Sequence, residues 1–145
     1  MFEVHIYITQ SSGNTRKSKR SYGYVLECML KGEPRTAEGF GEVESTFHET
    51  NLIAINEALA RLNQSCEVHI HTEDKFVLNM MEHNLDRWAV NDFKTSKDKP
   101  VESEEHWRRF WDLQKKQMII PEHGPHSYND WILGEIRKGR GKENV

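Results

Sequence analysis

The sequence predicts an α/β fold built on a mixed five-stranded sheet with helices on both faces. Three strand patterns joined by short turns come first in the 145-residue chain, and a strand–helix–strand order follows them. Short connections favour an antiparallel meander, whereas a helical crossover places the next strand parallel to the first. The length is that of one domain, which we place at residues 1–138, followed by a flexible basic tail at 139–145.

Alternating apolar residues predict the antiparallel part of the sheet. Residues 4–9, VHIYIT, are rich in β-branched and aromatic side chains, which is typical of a strand. Residues 22–30, YGYVLECML, form the second strand pattern, and a tight turn at 31–34 leads into a third strand at 36–43. These segments are the expected three-strand antiparallel meander.

The second half of the chain predicts helices around two parallel strands. Residues 51–62, NLIAINEALARL, repeat Leu and Ile at helical spacing. The strand CEVHIHT at 66–72 is expected to lie parallel to the first strand. The remaining predicted elements are a helix at 74–82, a short helix and loop at 84–93, a loop at 94–101, an amphipathic helix at 102–116, a short fifth strand at 118–120 and a final helix at 127–138.

Composition limits the class of function. Twenty Lys and Arg against 23 Asp and Glu give a net charge of −3, so contact with nucleic acid would have to come from local basic patches. No run approaches the roughly 18 apolar residues of a membrane span. Two cysteines make no disulfide framework, which is typical of a reduced protein. We therefore expect a cytoplasmic protein that does not contact a membrane.

A series of short motifs is spread along the chain between residues 4 and 136. They are Gly13-Asn14, Tyr22-Gly23, Ala58-Leu59, Lys94-Thr95, Lys99-Pro100-Val101, Trp107, His123 and Asn129. In this order and spacing they resemble the ribonuclease H type 1 family. The resemblance implies an RNase H-like fold and an activity, the cleavage of RNA in RNA–DNA hybrids, that uses two Mg²⁺ ions held by four carboxylates.

Three of the four carboxylate positions implied by the resemblance are not acidic here. The first-strand aspartate falls on Thr9, the first-helix glutamate on Asn51 and the last-helix aspartate on Leu133. The fourth-strand aspartate falls on Glu73, which is still acidic. His123 matches a loop histidine thought to assist product release or proton transfer, and it would be vestigial without metal ions. A leucine cannot ligate a metal, so the resemblance implies a degenerate site.

Neighbouring acids are the alternative to a degenerate site. Glu49 lies two residues before Asn51, about 200° of helix rotation away, so it would face away from that position. Asp130 lies one turn before Leu133 and is the better substitute, while Glu135 flanks the position on the other side. Two hypotheses remain: a non-catalytic nucleic-acid-binding or interaction module with no cofactor, and a divergent, weakly active Mg²⁺-dependent ribonuclease H.

Expected contacts with nucleic acid come partly from charge and partly from the resemblance. Asn14 and Thr46 match positions that touch the nucleic-acid backbone in the family, and Trp88 falls where some members carry a protrusion for the minor groove of the hybrid. The first hairpin turn is basic and could bind phosphates or remain a solvated turn. Its basic residues are Arg16, Lys17, Lys19 and Arg20. The expected partner is an RNA–DNA hybrid or another nucleic acid, with a protein partner as the alternative.

Three histidines are predicted to share one face of the sheet. His69 and His71 lie two apart on one strand, and His5 on the neighbouring strand could join them. Three imidazoles could bind a transition metal. Histidines that are paired or lie at the solvent edge of a sheet are commoner, so no metal is predicted there.

Overall fold

The structure is a computed structural model that describes residues 1–142. The described part of the chain contains five strands and five helices. In chain order they are β1 (Phe2–Gln10), β2 (Ser18–Leu30), β3 (Glu33–Ser45), α1 (Phe47–Leu59), β4 (Cys66–Thr72), α2 (Lys75–His83), α3 (Leu85–Val90), α4 (Glu104–Gln114), β5 (Met118–His123) and α5 (Asn129–Arg137).

The strands form one mixed sheet with the order β3-β2-β1-β4-β5, which confirms the predicted topology. β1 pairs antiparallel with β2, and β2 pairs antiparallel with β3. On the other side, β4 runs parallel to β1, and β5 runs parallel to β4. The carboxyl ends of the three parallel strands therefore meet at one edge, where ligands bind in open α/β sheets.

Several elements begin or end at residues other than those predicted. β2 and β3 pair from Ser18 opposite Ser45 as far as Leu30 opposite Glu33, well beyond the apolar pattern. α1 begins at Phe47, four residues early, because the hydroxyl of Thr46 accepts a hydrogen bond from the Glu49 N–H and caps the helix. β5 continues through Pro121 to His123, which is possible because Pro121 lies on an edge strand.

Alternation along the strands divides the side chains between two faces. Val4, Ile6 and Ile8 of β1 pack in the main core, together with buried side chains of α1, α2 and α4. Tyr7 faces the other way and packs with Ile132 of α5. Helices therefore cover both faces, as predicted, and α5 holds its face of the sheet at the end where β1 finishes.

The chain after α5 starts with residues that contact the sheet. The guanidinium of Arg140 lies 2.6 Å from a carboxylate oxygen of Glu38 and 3.3 Å from one of Glu135. It also stacks over Phe40, with 4.3 Å between the guanidinium carbon and the ring centroid. The predicted flexible tail, residues 139–145, therefore begins with a docked segment, and residues 143–145 lie outside the described part of the chain.

Within residues 1–142, no helix has the length and apolar composition that crossing a bilayer requires.

Candidate functional site

Three of the four positions matched to carboxylates lie at one end of the sheet. Thr9 is near the end of β1, Asn51 lies in α1, and Glu73 directly follows β4. α1 begins at this end, where the side-chain amide of Gln10 donates to the carbonyl of Phe47 at 2.9 Å. The fold thus brings together residues that are more than 60 positions apart in the chain, between Thr9 and Glu73.

Thr9 belongs to a partly buried network of neutral polar groups. Its hydroxyl donates to Asn129 Oδ1 at 3.0 Å and lies 3.0 Å from His126 Nε2. His126 Nδ1 accepts from the Tyr128 N–H at 3.2 Å, so the ring proton is on Nε2, which donates to Thr9 and to the Ile8 carbonyl at 2.9 Å. Every member has a partner without a cation. Sequence reasoning did not find His126, because its partner on β1 is distant in the chain.

Asn129, the first residue of α5, contacts Thr9. The residues expected near Thr9 were Leu133 and Asp130. Leu133 is one turn further along α5 and only partly buried. Asp130, expected as a substitute ligand, is exposed. One residue is about 100° of helix rotation, so Asp130 cannot face Thr9 while Asn129 does. The role of Asp130 as a substitute for the missing acid therefore stays a prediction, and Asn129 is the residue of α5 that contacts Thr9.

Asn51 is paired with a buried aspartate that the sequence analysis did not single out. The side-chain amide of Asn51, which is 2% exposed, donates to Asp74 Oδ2 at 3.0 Å. Asp74 is 1% exposed and caps α2 by accepting the Val77 N–H at 3.0 Å. His48 Nδ1 lies 2.9 Å from the same carboxylate. The signal was an aspartate immediately before an apolar helical pattern, which is typical of an N-cap.

The two glutamates near this end of the sheet differ in their surroundings. Glu73, the acid retained at a matched position, is exposed. Glu49 turns away from Asn51, and its carboxylate accepts from the hydroxyls of Ser45 at 2.5 Å and Ser103 at 2.6 Å. Burial alone would raise the pKa of Glu49, but the hydrogen bonds from Ser103 and Ser45 hold it below its usual value. Glu49 is therefore a charged group outside the Thr9 and Asn51 cluster.

This set of donors does not fit the two Mg²⁺ ions that the resemblance implies. Mg²⁺ prefers carboxylate oxygens in octahedral geometry. Thr9 supplies a hydroxyl that is already hydrogen-bonded, and Asn51 supplies an amide. Leu133 supplies only a hydrocarbon side chain, and Glu73 supplies one exposed carboxylate. His123 is exposed at the end of β5. The site therefore carries one accessible negative charge where two divalent cations need several.

Arg20, expected to contact nucleic acid, is instead 1% exposed and holds the first hairpin loop together. Its guanidinium donates to the Ser45 carbonyl at 2.9 Å, the Ser12 carbonyl at 3.1 Å and Gln10 Oε1 at 3.2 Å. It also donates to the carbonyls of Asn14 and Arg16. Because its donors point into the loop, Arg20 cannot reach a phosphate, and this corrects the prediction for that residue.

The other basic side chains of this loop and of the start of β2 face solvent. Arg16, Lys17 and Lys19 are exposed, and Lys19 Nζ lies 3.3 Å from a carboxylate oxygen of Glu42. Asn14 Oδ1 accepts from the backbone N–H of Arg16 at 2.9 Å, so this side chain shapes the turn. The loop directly follows β1, which ends at Gln10, the residue after Thr9.

Thr46 and Trp88 line a groove beside α1. The groove is also lined by Phe76, Met80 and Trp107. Trp88 meets Trp107 edge to face, with centroids 5.4 Å apart. Thr46 uses its hydroxyl to cap α1, so its side chain already has a structural role. The groove lies at the same end of α1 as the basic loop.

The neutral state of His126 predicts a loss of stability in acid. Burial lowers the pKa of His126 below its usual 6.5, although its bond to Ile8 and the charge of Glu73 oppose this. As pH falls below 6.5 the unfolded chain binds a proton before the folded chain does, so the free energy of unfolding decreases. His71 acts in the same direction, since burial lowers its pKa to about 4.

Urea unfolding from pH 6.5 to pH 4, the range covered by these two histidines, measures this effect. His126→Gln should show a shallower loss of stability with falling pH than the natural protein. His69 works in the opposite direction, because hydrogen bonds to Glu67 and Glu122 outweigh burial and raise its pKa, but it is common to both proteins. The exposed His83 supplies a control, His83→Gln, which should follow the natural curve. Parallel curves for His126→Gln and the natural protein would contradict the assignment.

Comparison with known proteins gives consistent matches. The RNase H family model matches residues 3–129. The ribonuclease H of Rhizobium meliloti is 29% identical over 143 residues, covering 96% of this chain and 91% of that protein. The ribonuclease H of Novosphingobium aromaticivorans is 30% identical over 136 residues, covering 91% of this chain and 92% of that protein.

Solved structures match at lower identity and show the fold. A crystal structure of a type 1 RNase H with the type 2 active-site motif has a TM-score of 0.70 at 16% identity, over 92% of this chain and 70% of that one. The foamy viral protease-reverse transcriptase in complex with an RNA/DNA hybrid has a TM-score of 0.69 at 20% identity. That match covers 99% of this chain but 20% of the viral chain, so the present chain spans about a fifth of that protein's length.

Proposed function

Since the chain belongs to the RNase H family, we propose that it is a non-catalytic RNase H-like domain that binds RNA–DNA hybrids or related duplexes through its first hairpin loop. One observation carries the proposal. Thr9 and Asn51 occupy positions that are matched to acidic residues of the family. Thr9 is hydrogen-bonded to His126 and Asn129, and Asn51 is hydrogen-bonded to Asp74. Because both side chains already have protein partners, the arrangement supports a site that does not hold two Mg²⁺ ions.

Binding is supported by the position of the basic loop. Arg16 and Lys17 are exposed, and Arg20 anchors the loop that presents them. Each Lys or Arg that contacts a phosphate adds affinity that decreases with salt. The structurally similar foamy viral enzyme is known in complex with an RNA/DNA hybrid. We infer that the present loop binds the phosphate backbone of such a duplex and provides little recognition of sequence.

A divergent, weakly active ribonuclease H is the second candidate. The relatives from Rhizobium meliloti and Novosphingobium aromaticivorans are both ribonucleases H, and Glu73 keeps an exposed carboxylate at a matched position. Mg²⁺ would be the cofactor in that case. This candidate requires Glu73 to act without the three other carboxylates of the family's four-carboxylate site.

We infer one domain at residues 1–138, and Arg140, two residues beyond it, contacts Glu38 of β3. Cys28 and Cys66 are both free thiols, which is compatible with a cytoplasmic protein. A protein partner remains the alternative to nucleic acid, and the binding experiment below separates the two.

We expect the natural protein to retard an RNA–DNA hybrid in a gel-shift assay at low salt. Arg16→Glu combined with Lys17→Glu should weaken binding by about tenfold or more and reduce its salt dependence, because two phosphate contacts are lost. The matched control is Lys115→Glu with Lys116→Glu. It makes the same charge change just after α4. The neighbouring Gln117 accepts from the Cys66 N–H at the start of β4, which is the end of the strand away from the loop.

The controls separate the three hypotheses. Equal weakening by both double variants would show a net-charge effect only and contradict the role of the loop. No retardation of any nucleic acid, even at low salt, would support a protein partner instead. Cleavage of the hybrid with Mg²⁺ or Mn²⁺ that disappears in Glu73→Ala would overturn the non-catalytic assignment and establish the ribonuclease.

A further inference from the structure

Imidazoles and carboxylates occupy the part of the sheet that lies away from the Thr9 end. In the parallel pairing of β1 with β4, Glu3 is opposite Glu67, and His5 is opposite His69. The rings of His5 and His69 stack with centroids 4.4 Å apart and 13° between their planes. Four residues separate His5 from Thr9 along β1, roughly 13 Å of strand, so this cluster is distinct from the candidate functional site.

Three donor atoms in the cluster have the spacing of metal ligands. Glu3 Oε1 lies 3.1 Å from His5 Nε2 and 3.4 Å from His69 Nε2. All three atoms lie within 4.8 Å of one another. Ligand atoms arranged tetrahedrally around Zn²⁺, at bonds of about 2.0 Å, are about 3.3 Å apart. The spacing therefore suits a small divalent ion, although one of the two stacked rings must rotate so that both Nε2 lone pairs point at the ion.

The other nitrogen of each histidine is already engaged. His69 Nδ1 lies 3.1 Å from Glu122 Oε1, and His5 Nδ1 lies 2.7 Å from His71 Nε2. Metal-bound histidines generally donate their second N–H to a carboxylate or another acceptor, which fixes the ring orientation. Here Glu122 and His71 fill that role, while His5 Nε2 faces Glu3 and His69 Nε2 lies between Glu67 at 2.9 Å and Glu3 at 3.4 Å.

The charge of the cluster also favours a cation. Carboxylate oxygens of three residues approach His69 nitrogens: Glu67 at 2.9 Å, Glu122 at 3.1 Å and Glu3 at 3.4 Å. The side chain of His69 is 13% exposed, so solvent screens these charges incompletely. One protonated imidazole offsets at most one of these three negative charges, whereas a divalent ion bound by neutral imidazoles offsets two.

We propose that Glu3, His5 and His69 bind one first-row divalent metal ion, for which Zn²⁺ is the best match. Two imidazoles and one carboxylate are a usual Zn²⁺ ligand set, and Glu67 or water supplies the fourth position. The ion links β1 to β4, since Glu3 and His5 belong to one strand and His69 to the other. The site is independent of the proposed binding of nucleic acid.

The test is calorimetric titration of the whole chain with ZnCl₂, in a buffer that does not bind zinc. The natural protein should bind one Zn²⁺, and its thermal unfolding midpoint should rise when zinc is added. His69→Gln and Glu3→Gln should each weaken binding by about tenfold or more. Glu3 is largely exposed, with 59% of its side chain accessible, so Glu3→Gln tests the site even if His69→Gln fails to fold.

His83→Gln is the matched control, because His83 Nε2 also lies 3.1 Å from a glutamate, Glu82, but on an exposed part of α2. It should bind zinc like the natural protein. Co²⁺ in place of Zn²⁺ should give the intense visible absorption of a tetrahedral site in the natural protein and not in His69→Gln. The proposal fails if the natural protein binds no Zn²⁺, if Glu3→Gln binds as tightly as the natural protein, or if His83→Gln loses as much affinity as Glu3→Gln.

Discussion

Replacing Arg20 by methionine is expected to lower the free energy of unfolding by about 3–5 kcal/mol. Methionine keeps the length of the side chain but has no donors. The change leaves the carbonyls of Ser45 and Ser12 and the side-chain oxygen of Gln10 without their partner in a region where Arg20 is 1% exposed. Urea unfolding followed by circular dichroism measures the difference.

Lys19→Met is the control for this prediction. Lys19 is the preceding residue and also basic, but its side chain is 74% exposed and its ion pair with Glu42 is on the surface. Its loss should change the free energy of unfolding by about 0.5 kcal/mol or less. Arg20→Met should also weaken binding of a hybrid, because the loop that presents Arg16 loses its anchor. Equal stability of Arg20→Met and Lys19→Met would contradict the anchoring role.

Rebuilding the four carboxylates is expected to give the domain Mg²⁺ binding and cleavage of the RNA strand of a hybrid. The four changes are Thr9→Asp, Asn51→Glu, Glu73→Asp and Leu133→Asp. Several carboxylates at one end of the sheet supply the anionic oxygens that Mg²⁺ prefers. The measurement is calorimetric titration with MgCl₂ together with a gel assay on a labelled hybrid, compared with the natural protein.

The same variant should depend on Mg²⁺ for its stability. Asn51 now donates to the buried Asp74 at 3.0 Å, so Asn51→Glu places a second carboxylate against the first. Without metal this repulsion should cost about 1–3 kcal/mol, and added Mg²⁺ should restore it. A variant with Asn129→Asp in place of Leu133→Asp shows which position of α5 completes the site, since Asn129 is the residue that contacts Thr9. If both variants fold but neither binds Mg²⁺, the matching of these positions is wrong.

The strands were the most predictable part of the fold, because their signal is local. Alternation in residues 4–9 located β1, and the bounds of β4, Cys66–Thr72, agree with the prediction. Helix starts were less predictable where one capping side chain decides them. Thr46 begins α1 four residues early, and Asp74 begins α2 one residue late. A capping hydrogen bond acts through one side chain and leaves little trace in apolar periodicity.

The groups that surround the candidate site depended on distant parts of the chain. His126 reaches Thr9 across 117 residues, and Asp74 reaches Asn51 across 23. Arg20 is a further case, because a basic residue in a basic turn is normally expected to face solvent. Its burial follows from the way the loop folds back over the end of β3, where Ser45 accepts from it.

By itself, the sequence determined where the strands lie along the chain and the absence of acids at Thr9, Asn51 and Leu133, since periodicity and residue identity are local properties. Only the tertiary structure decided which side chains contact one another. These contacts form the neutral network at Thr9, the hydrogen bond from Asn51 to Asp74, and the cluster of Glu3, His5 and His69. Contacts of this kind depend on which strands become neighbours and on the register between them. Those are set by packing of the whole chain and cannot be read from any single segment.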